Sequence, residues 1–158
     1  MTKSLPRRIA VAFEGGEDPE PAAAMLDALA VGGITATFFI DGLWAEECPE
    51  IVRRISDEGH EVGNHGHGHP DWTALSDEEV RADLARVDGI VRSICGASTG
   101  PWVLPPKSAI DERVEAVLAG AGYRSVNPYP LDGRGWDDQS PAAIHQRAMQ
   151  QLEGGASL

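Results

Sequence analysis

The sequence predicts an α/β fold in which parallel strands are joined by crossover helices, and three observations predict it. Short β-branched or apolar runs alternate with longer segments whose apolar residues recur at helical spacing, the signature of strand–helix–strand units. The helical segments carry start and stop signals, proline or serine at the beginning and glycine at the end. Residues able to do chemistry fall where strand runs give way to loops, the edge at which parallel sheets and barrels carry their sites.

Each element follows from its local pattern. Arg8 to Phe13 reads as a first buried strand, and Pro19 to Val31 as a helix closed by Gly32-Gly33. Thr35 to Ile40, rich in Thr, Phe and Ile, is a second strand. Pro49 to Glu58 carries Ile51, Val52 and Ile55 at helical spacing and stops at Gly59, and His60 to Asn64 is a third strand. A longer helix spans Ser76 to Cys95; Ser76 can cap it, Glu79 can reach back, and Val80, Leu84, Val87, Ile90 and Val91 form its apolar stripe. Trp102 to Leu104 is a short strand, Asp111 to Ala121 a helix ending at Gly122, and Arg124 to Asn127 another strand. Pro141 to Leu152 is a last helix, and Gly154 to Leu158 reads as a turn leading into a further strand.

The chain has 158 residues, 42% of them apolar, which suits one domain over 1–158 with a sizeable core. No repeat, low-complexity segment or long linker divides it. A net charge of −12, from 25 acidic and 13 basic residues, argues against nucleic acid or an anionic membrane surface as partner. Neutral or cationic small substrates fit better. The start is basic, but the apolar run Ile9 to Phe13 is too short for a signal sequence, and no segment has the length of a membrane span, so the chain reads as cytoplasmic. Cys48 and Cys95 fall in no metal or redox spacing and read as ordinary thiols.

The most informative stretch is Gly59-His60-Glu61-Val62-Gly63-Asn64-His65-Gly66-His67-Gly68-His69-Pro70. Three histidines at alternate positions in a glycine-rich loop are hard to explain as core packing. Neutral imidazole is a common ligand for zinc and related ions, and His65 and His69 can converge on one ion if the residues between them turn. The competing reading is a surface loop that happens to hold histidines. Glu14, Pro105-Pro106 and the stretch Asp132 to Trp136 lie at the ends of other predicted strands, so four separated segments converge on one rim.

Gly-His-Glu-Val-Gly-Asn-His-x-x-x-His-Pro resembles the second motif of the polysaccharide deacetylase family, the NodB homology domain of carbohydrate esterase family four. The family's first motif, Thr-Phe-Asp-Asp-Gly followed by a Pro-Asp-Pro turn, is similar to Ala12-Phe13-Glu14-Gly15-Gly16-Glu17-Asp18-Pro19, and Thr37-Phe38-Phe39 resembles its second strand. The resemblance runs in order from Arg8 to Leu158. It implies a deformed, incomplete (β/α) barrel of the NodB type, with about six strands and without the last strand motif. It further implies a metal-dependent amide hydrolase in which a divalent ion, zinc, polarises an acetyl carbonyl and a carboxylate takes a proton from water.

Carried over by position, the base falls on Glu14 and the carboxylate ligand on Gly15, which has no side chain; His65 and His69 match the two ligand histidines, and His67 has no family role. The arginine of the third motif is missing from Leu104-Pro105-Pro106-Lys107-Ser108, and Lys107 does not reproduce a bidentate guanidinium. Asp132-Gly133-Arg134-Gly135-Trp136 keeps the first Asp and the Trp of the fourth motif and loses its second Asp. The terminal Leu-x-His motif is absent, and His145 on the last predicted helix is a poor substitute for its general acid.

Three readings remain open. Glu14 becomes a ligand beside His65 and His69, with Glu17 or Asp18 as base; or the metal is abandoned and Glu14 works with Asp132; or turnover is lost and the rim survives as a carbohydrate-binding or regulatory surface. The preferred expectation is hydrolysis of an amide C–N bond, N-deacetylation of a carbohydrate or small N-acetylated metabolite. Trp136 is the expected sugar-stacking or acetyl-lining residue, Pro105 and Pro106 shape a strand exit with substrate contact secondary, and Trp44, Trp72 and Trp102 are expected to pack. An open sheet edge would favour a homodimer.

Overall fold

The computed structural model describes residues 10–15, 19–126, 134 and 140–153. The chain divides into two compact units, Met1–Val126 and Asn127–Leu158. In the first, the element order is β1 (Ala12–Gly15), α1 (Pro19–Gly32), β2 (Thr37–Ile40), α2 (Gly42–Glu47), α3 (Pro49–Asp57), β3 (Glu61–Asn64), α4 (Asp77–Cys95), β4 (Trp102–Val103), α5 (Glu112–Gly120) and β5 (Arg124–Ser125). Single 3-10 turns stand at Trp72–Ala74 and Pro106–Ser108. The strands form one parallel sheet in the order β1-β2-β3-β4-β5. In the second unit, helix α6 (Pro141–Glu153) begins after Ser140, whose hydroxyl accepts from the Ala143 amide, and exposed His145 lies along it.

The predicted alternation of strands and helices is observed, with shifted boundaries. β1 begins at Ala12 instead of Arg8 and runs on through Glu14 and Gly15, so Glu14 lies within the strand it was expected to follow. β4 and β5 are two residues each, shorter than Trp102 to Leu104 and Arg124 to Asn127. The final strand expected at Gly154 to Leu158 lies outside the described residues. Helix α2 is additional; its six residues are too few for a periodic pattern, and it is started by the carboxylate of Asp41, which accepts from the Leu43 and Trp44 amides. The expected start of α4 is a complete capping box between Ser76 and Glu79, and Gly96 ends the helix at φ 75°.

Alternation along the strands sorts their side chains. Phe38, Ile40 and Val62 are buried on the face covered by α1, α3 and part of α4, together with Leu26, Val52 and Ile55. Toward β4, Trp72, Val80, Leu84, Val103, Val114 and Leu118 form a second cluster. Each of these side chains contributes roughly 1.5–3 kcal/mol by leaving water. Glu14, Phe39 and Gly63 are register partners across β1, β2 and β3 on the opposite face. Trp44 and Trp72 are packed as expected, while half-buried Trp102 donates its indole N–H to Glu61 Oε1 at 2.8 Å. Both cysteines are free; Cys48 is buried and Cys95 packs at the edge of the first cluster. Among the described residues, no helix is long and apolar enough to cross a membrane.

Candidate functional site

At the carboxyl edge of β3 the chain makes a tight loop from His65 to Pro70. Gly66, Gly68 and His69 all have left-handed backbone, at φ 71°, 74° and 55°. Glycine adopts this freely, but a left-handed histidine costs roughly 1–3 kcal/mol, so surrounding contacts must hold it. Side-chain oxygens supply them. The Gly66 amide donates to Asn64 Oδ1, the His67 amide to both oxygens of Asp83, and the Gly68 and His69 amides to Asp41 Oδ2 at 2.9 and 3.0 Å. Hydrogen bonds to ionised carboxylates are the stronger kind, and three consecutive amides of the loop, those of His67, Gly68 and His69, are satisfied this way.

The loop brings the rings of His65 and His69 together, with centroids 4.9 Å apart and planes tilted by 57°. His65 is 3% exposed, and its Nδ1 lies 2.7 Å from the carbonyl oxygen of Leu104. A carbonyl only accepts, so Nδ1 carries the proton and Nε2 keeps its lone pair. His69 is exposed, and its Nε2 accepts the Lys107 amide at 3.3 Å, which assigns its lone pair to Nε2 as well. Burial lowers the pKa of His65; the Leu104 hydrogen bond and the negative charges of Glu14 and Asp41 oppose that, while His69 adds to it. The imidazole is therefore neutral at pH 7, the form that binds metals.

These donors suit a metal in one respect and fall short in another. A ring N–H held by a backbone carbonyl, leaving the other nitrogen free, is how ligand histidines are ordinarily oriented. Among the described residues, however, no three His, Cys, Asp or Glu groups converge closely enough to hold an ion. Glu14 is close enough to act electrostatically on His65, but it does not complete a ligand set with the two histidines. Gly15 supplies no side chain, although a Cβ there would meet only ordinary contacts, Trp44 at 3.4 Å and Ile40 at 3.5 Å.

The other expected residues are distributed as follows. Pro105 and Pro106 are buried; Pro106 packs against Gly66, where an added Cβ would come within 2.8 Å of its ring, so the pair shapes the strand exit. Lys107 and Ser108 follow with left-handed backbone, and the Lys107 amide, not its ammonium, meets His69. His67 turns away from the pair toward Glu46, 3.4 Å from its Nε2. Asp132, Trp136, Glu17 and Asp18 lie outside the described residues. Asp41 and Asp83 were not anticipated. Asp41, directly after a strand and before Gly-Leu-Trp, could have been read as a helix cap, whereas nothing near Asp83 in the sequence marks it.

Comparison with known proteins places this geometry. The family model described as polysaccharide deacetylase matches residues 2–126. A peptidoglycan-N-acetylmuramic acid deacetylase of Bacillus subtilis is 31% identical over 120 residues, 76% of this chain and 46% of the relative. A chitooligosaccharide deacetylase of Rhizobium leguminosarum bv. trifolii is 36% identical over 130 residues, 82% of this chain and 60% of the relative. Among solved structures, a peptidoglycan deacetylase of Bacillus subtilis superposes with a TM-score of 0.81 at 30% identity, covering 90% of this chain and 68% of that one. A pseudoenzyme of carbohydrate esterase family four from Bacillus anthracis gives a TM-score of 0.83 at 24% identity, covering 90% and 50%, and shows the shared fold. The parallel sheet with its helices is thus an α/β, incomplete barrel of the NodB type. The chain spans about half the length of several of these relatives.

Proposed function

Because the chain belongs to the polysaccharide deacetylase family, we propose that it hydrolyses the acetamido C–N bond of an N-acetylated carbohydrate or small N-acetylated metabolite. His65 and His69 would hold a divalent ion, zinc, at the carboxyl edge of the sheet. The observation that carries this reading is the paired imidazoles, 4.9 Å between centroids, with the Nε2 lone pair of His65 open and that of His69 exchanging its bond from the Lys107 amide for the ion. Zinc bound there would supply Lewis acidity, polarising an acyl oxygen and acidifying water.

The chain's own residues account for the remaining steps. Leu104 fixes the tautomer and orientation of His65 through its carbonyl. Glu14, exposed on the face of β1 opposite the first core cluster, is the carboxylate that takes a proton from water as its oxygen adds to the acetyl carbon. The same proton is delivered to the amine nitrogen as the C–N bond breaks and acetate leaves. Trp136 and Asp132, retained at their motif positions, are assigned to substrate contact and to support of this proton transfer.

A second reading, carbohydrate binding without turnover, is favoured by Gly15 and by the absence of an arginine from Leu104 to Ser108. Acetate release from N-acetylated chitooligosaccharides, measured beside calorimetric zinc titration, separates the two. Zinc-dependent release by the parent chain, lost in the double variant His65→Ala/His69→Ala and in Glu14→Gln, supports hydrolysis. Equal behaviour of parent and Glu14→Gln sinks it, and sugar binding without release selects the second reading.

A further inference from the structure

We infer that Asp41 is a positioning residue for the histidine pair: one buried carboxylate ties the start of α2 to the loop after β3 and holds His69 in the backbone conformation that brings its ring to His65. The two oxygens divide the task. Oδ1 accepts from the Leu43 and Trp44 amides at 2.8 and 3.2 Å, and Oδ2 accepts from the Gly68 and His69 amides at 2.9 and 3.0 Å. One side chain, 8% exposed, therefore satisfies four amides from two segments separated by α3 and β3. The joint is reinforced where the Gly42 amide donates to the Gly66 carbonyl at 2.9 Å.

The coupling has a direction. Helix α2 needs only one acceptor at its cap and has it in Oδ1, whereas the left-handed turn at His69 has its amide bound to Oδ2 alone among the contacts described. Asp83 serves the same loop one residue earlier, accepting from the His67 amide and the Trp72 indole, and among the hydrogen bonds described it accepts none from Gly68 or His69. Loss of Oδ2 with a cap retained should therefore release His69 and leave α2 in place. The inference concerns the pairing of the rings, which the proposed hydrolysis uses, and it is read without metal or substrate, so it can fail or hold independently of that activity.

Asp41→Ser separates the two roles, because serine caps a helix as well as aspartate but offers one oxygen and a shorter reach. Hydrogen exchange and ring-to-ring cross-relaxation by NMR provide the readout. In the variant, the Gly68 and His69 amides should exchange ~100-fold faster and the His65–His69 ring contacts should vanish. The Ala45 and Cys48 amides of α2, which bond to the Asp41 and Trp44 carbonyls, should stay protected. Asp83→Asn should leave the ring contacts unchanged. Persistent protection of Gly68 and His69 with intact ring contacts in Asp41→Ser overturns the inference, as does equal loss of those contacts in Asp83→Asn. If Asp41→Ser fails to fold, Asp41→Asn is read by the same criteria, since its amide group can offer an oxygen to only one of the two segments.

Discussion

The Nδ1 of His65 lies 2.7 Å from the carbonyl oxygen of Leu104, joining the first residue after β3 to the first residue after β4. The Leu104 amide in turn donates to the carbonyl of Asn64 at 3.0 Å, so the ring contact extends the backbone pairing of two neighbouring strands. The orientation of His65 is thereby set by main chain on both sides. Substitution of the Leu104 side chain leaves the acceptor in place, whereas a shift of the whole strand does not.

This arrangement fixes a pH dependence. Burial holds the pKa of His65 below its ordinary 6.5, outweighing the Leu104 bond and the charge of Glu14. Between the folded value and 6.5 the unfolded chain binds the extra proton, so stability rises with pH in that window and is lost as pH falls through the folded value. NMR titration of the ring should give a midpoint below 6.5, and urea unfolding should show this contribution intact above pH 6.5. A midpoint above 6.5 would contradict the assignment.

Gly15→Asp should raise zinc affinity about tenfold or more, because it adds a carboxylate at the position where the family carries its acidic ligand. The new Cβ meets Trp44 and Ile40 at ordinary contact distances, but both belong to the first apolar cluster, so the added carboxylate should cost the fold about 1–3 kcal/mol. Calorimetry checks the first expectation and urea unfolding the second; unchanged affinity in a folded variant would place the metal elsewhere.

Gly63→Ala should destabilise the protein by ~1–3 kcal/mol through overpacking. Its Cβ would fall 2.5 Å from Phe39 Cδ1 and 3.3 Å from the Trp102 carbonyl, and Phe39 is itself buried. Backbone conformation is no obstacle here, so urea unfolding measures the steric cost directly.

Trp72→Phe keeps most of the buried ring but removes the indole N–H that donates to Asp83 at 2.8 Å. The expected loss is about 1–3 kcal/mol. Burial already holds the Asp83 carboxyl above its ordinary range against the bonds from Trp72 and His67, so the variant should move its titration higher still. Carboxyl NMR distinguishes this from simple loss of packing.

Much of this architecture can be read from local signals. The Ser76–Glu79 capping box, the stripe along α4 and the apolar strands depend on neighbours within a turn or two, and these are observed. The His65–His69 pairing was also legible, since glycines at 66 and 68 permit the turn it requires. Asp83 was not, because its meaning lies in the His67 amide 16 residues away, which only the packed chain brings near. Helix α2 is hard to read because its six residues are too few for a periodic pattern, leaving the cap at Asp41 as its one local signal. The extent of β1 is obscured in the sequence because Glu14 interrupts an apolar run, yet on the sheet face opposite Phe13 and Phe38 a carboxylate costs little.

The order of strands in the sheet has a consequence for how the chain reaches this form. Every strand pairs with the one made just before it, so no pairing must wait for a distant segment, and each completed strand becomes the template for the next. The slowest closure should be β3 onto β4, the step that must first lay down the 19 residues of α4. During synthesis the histidine loop would therefore emerge before Leu104, the residue that orients His65, and the two rings would acquire their final relation only once β4 had docked.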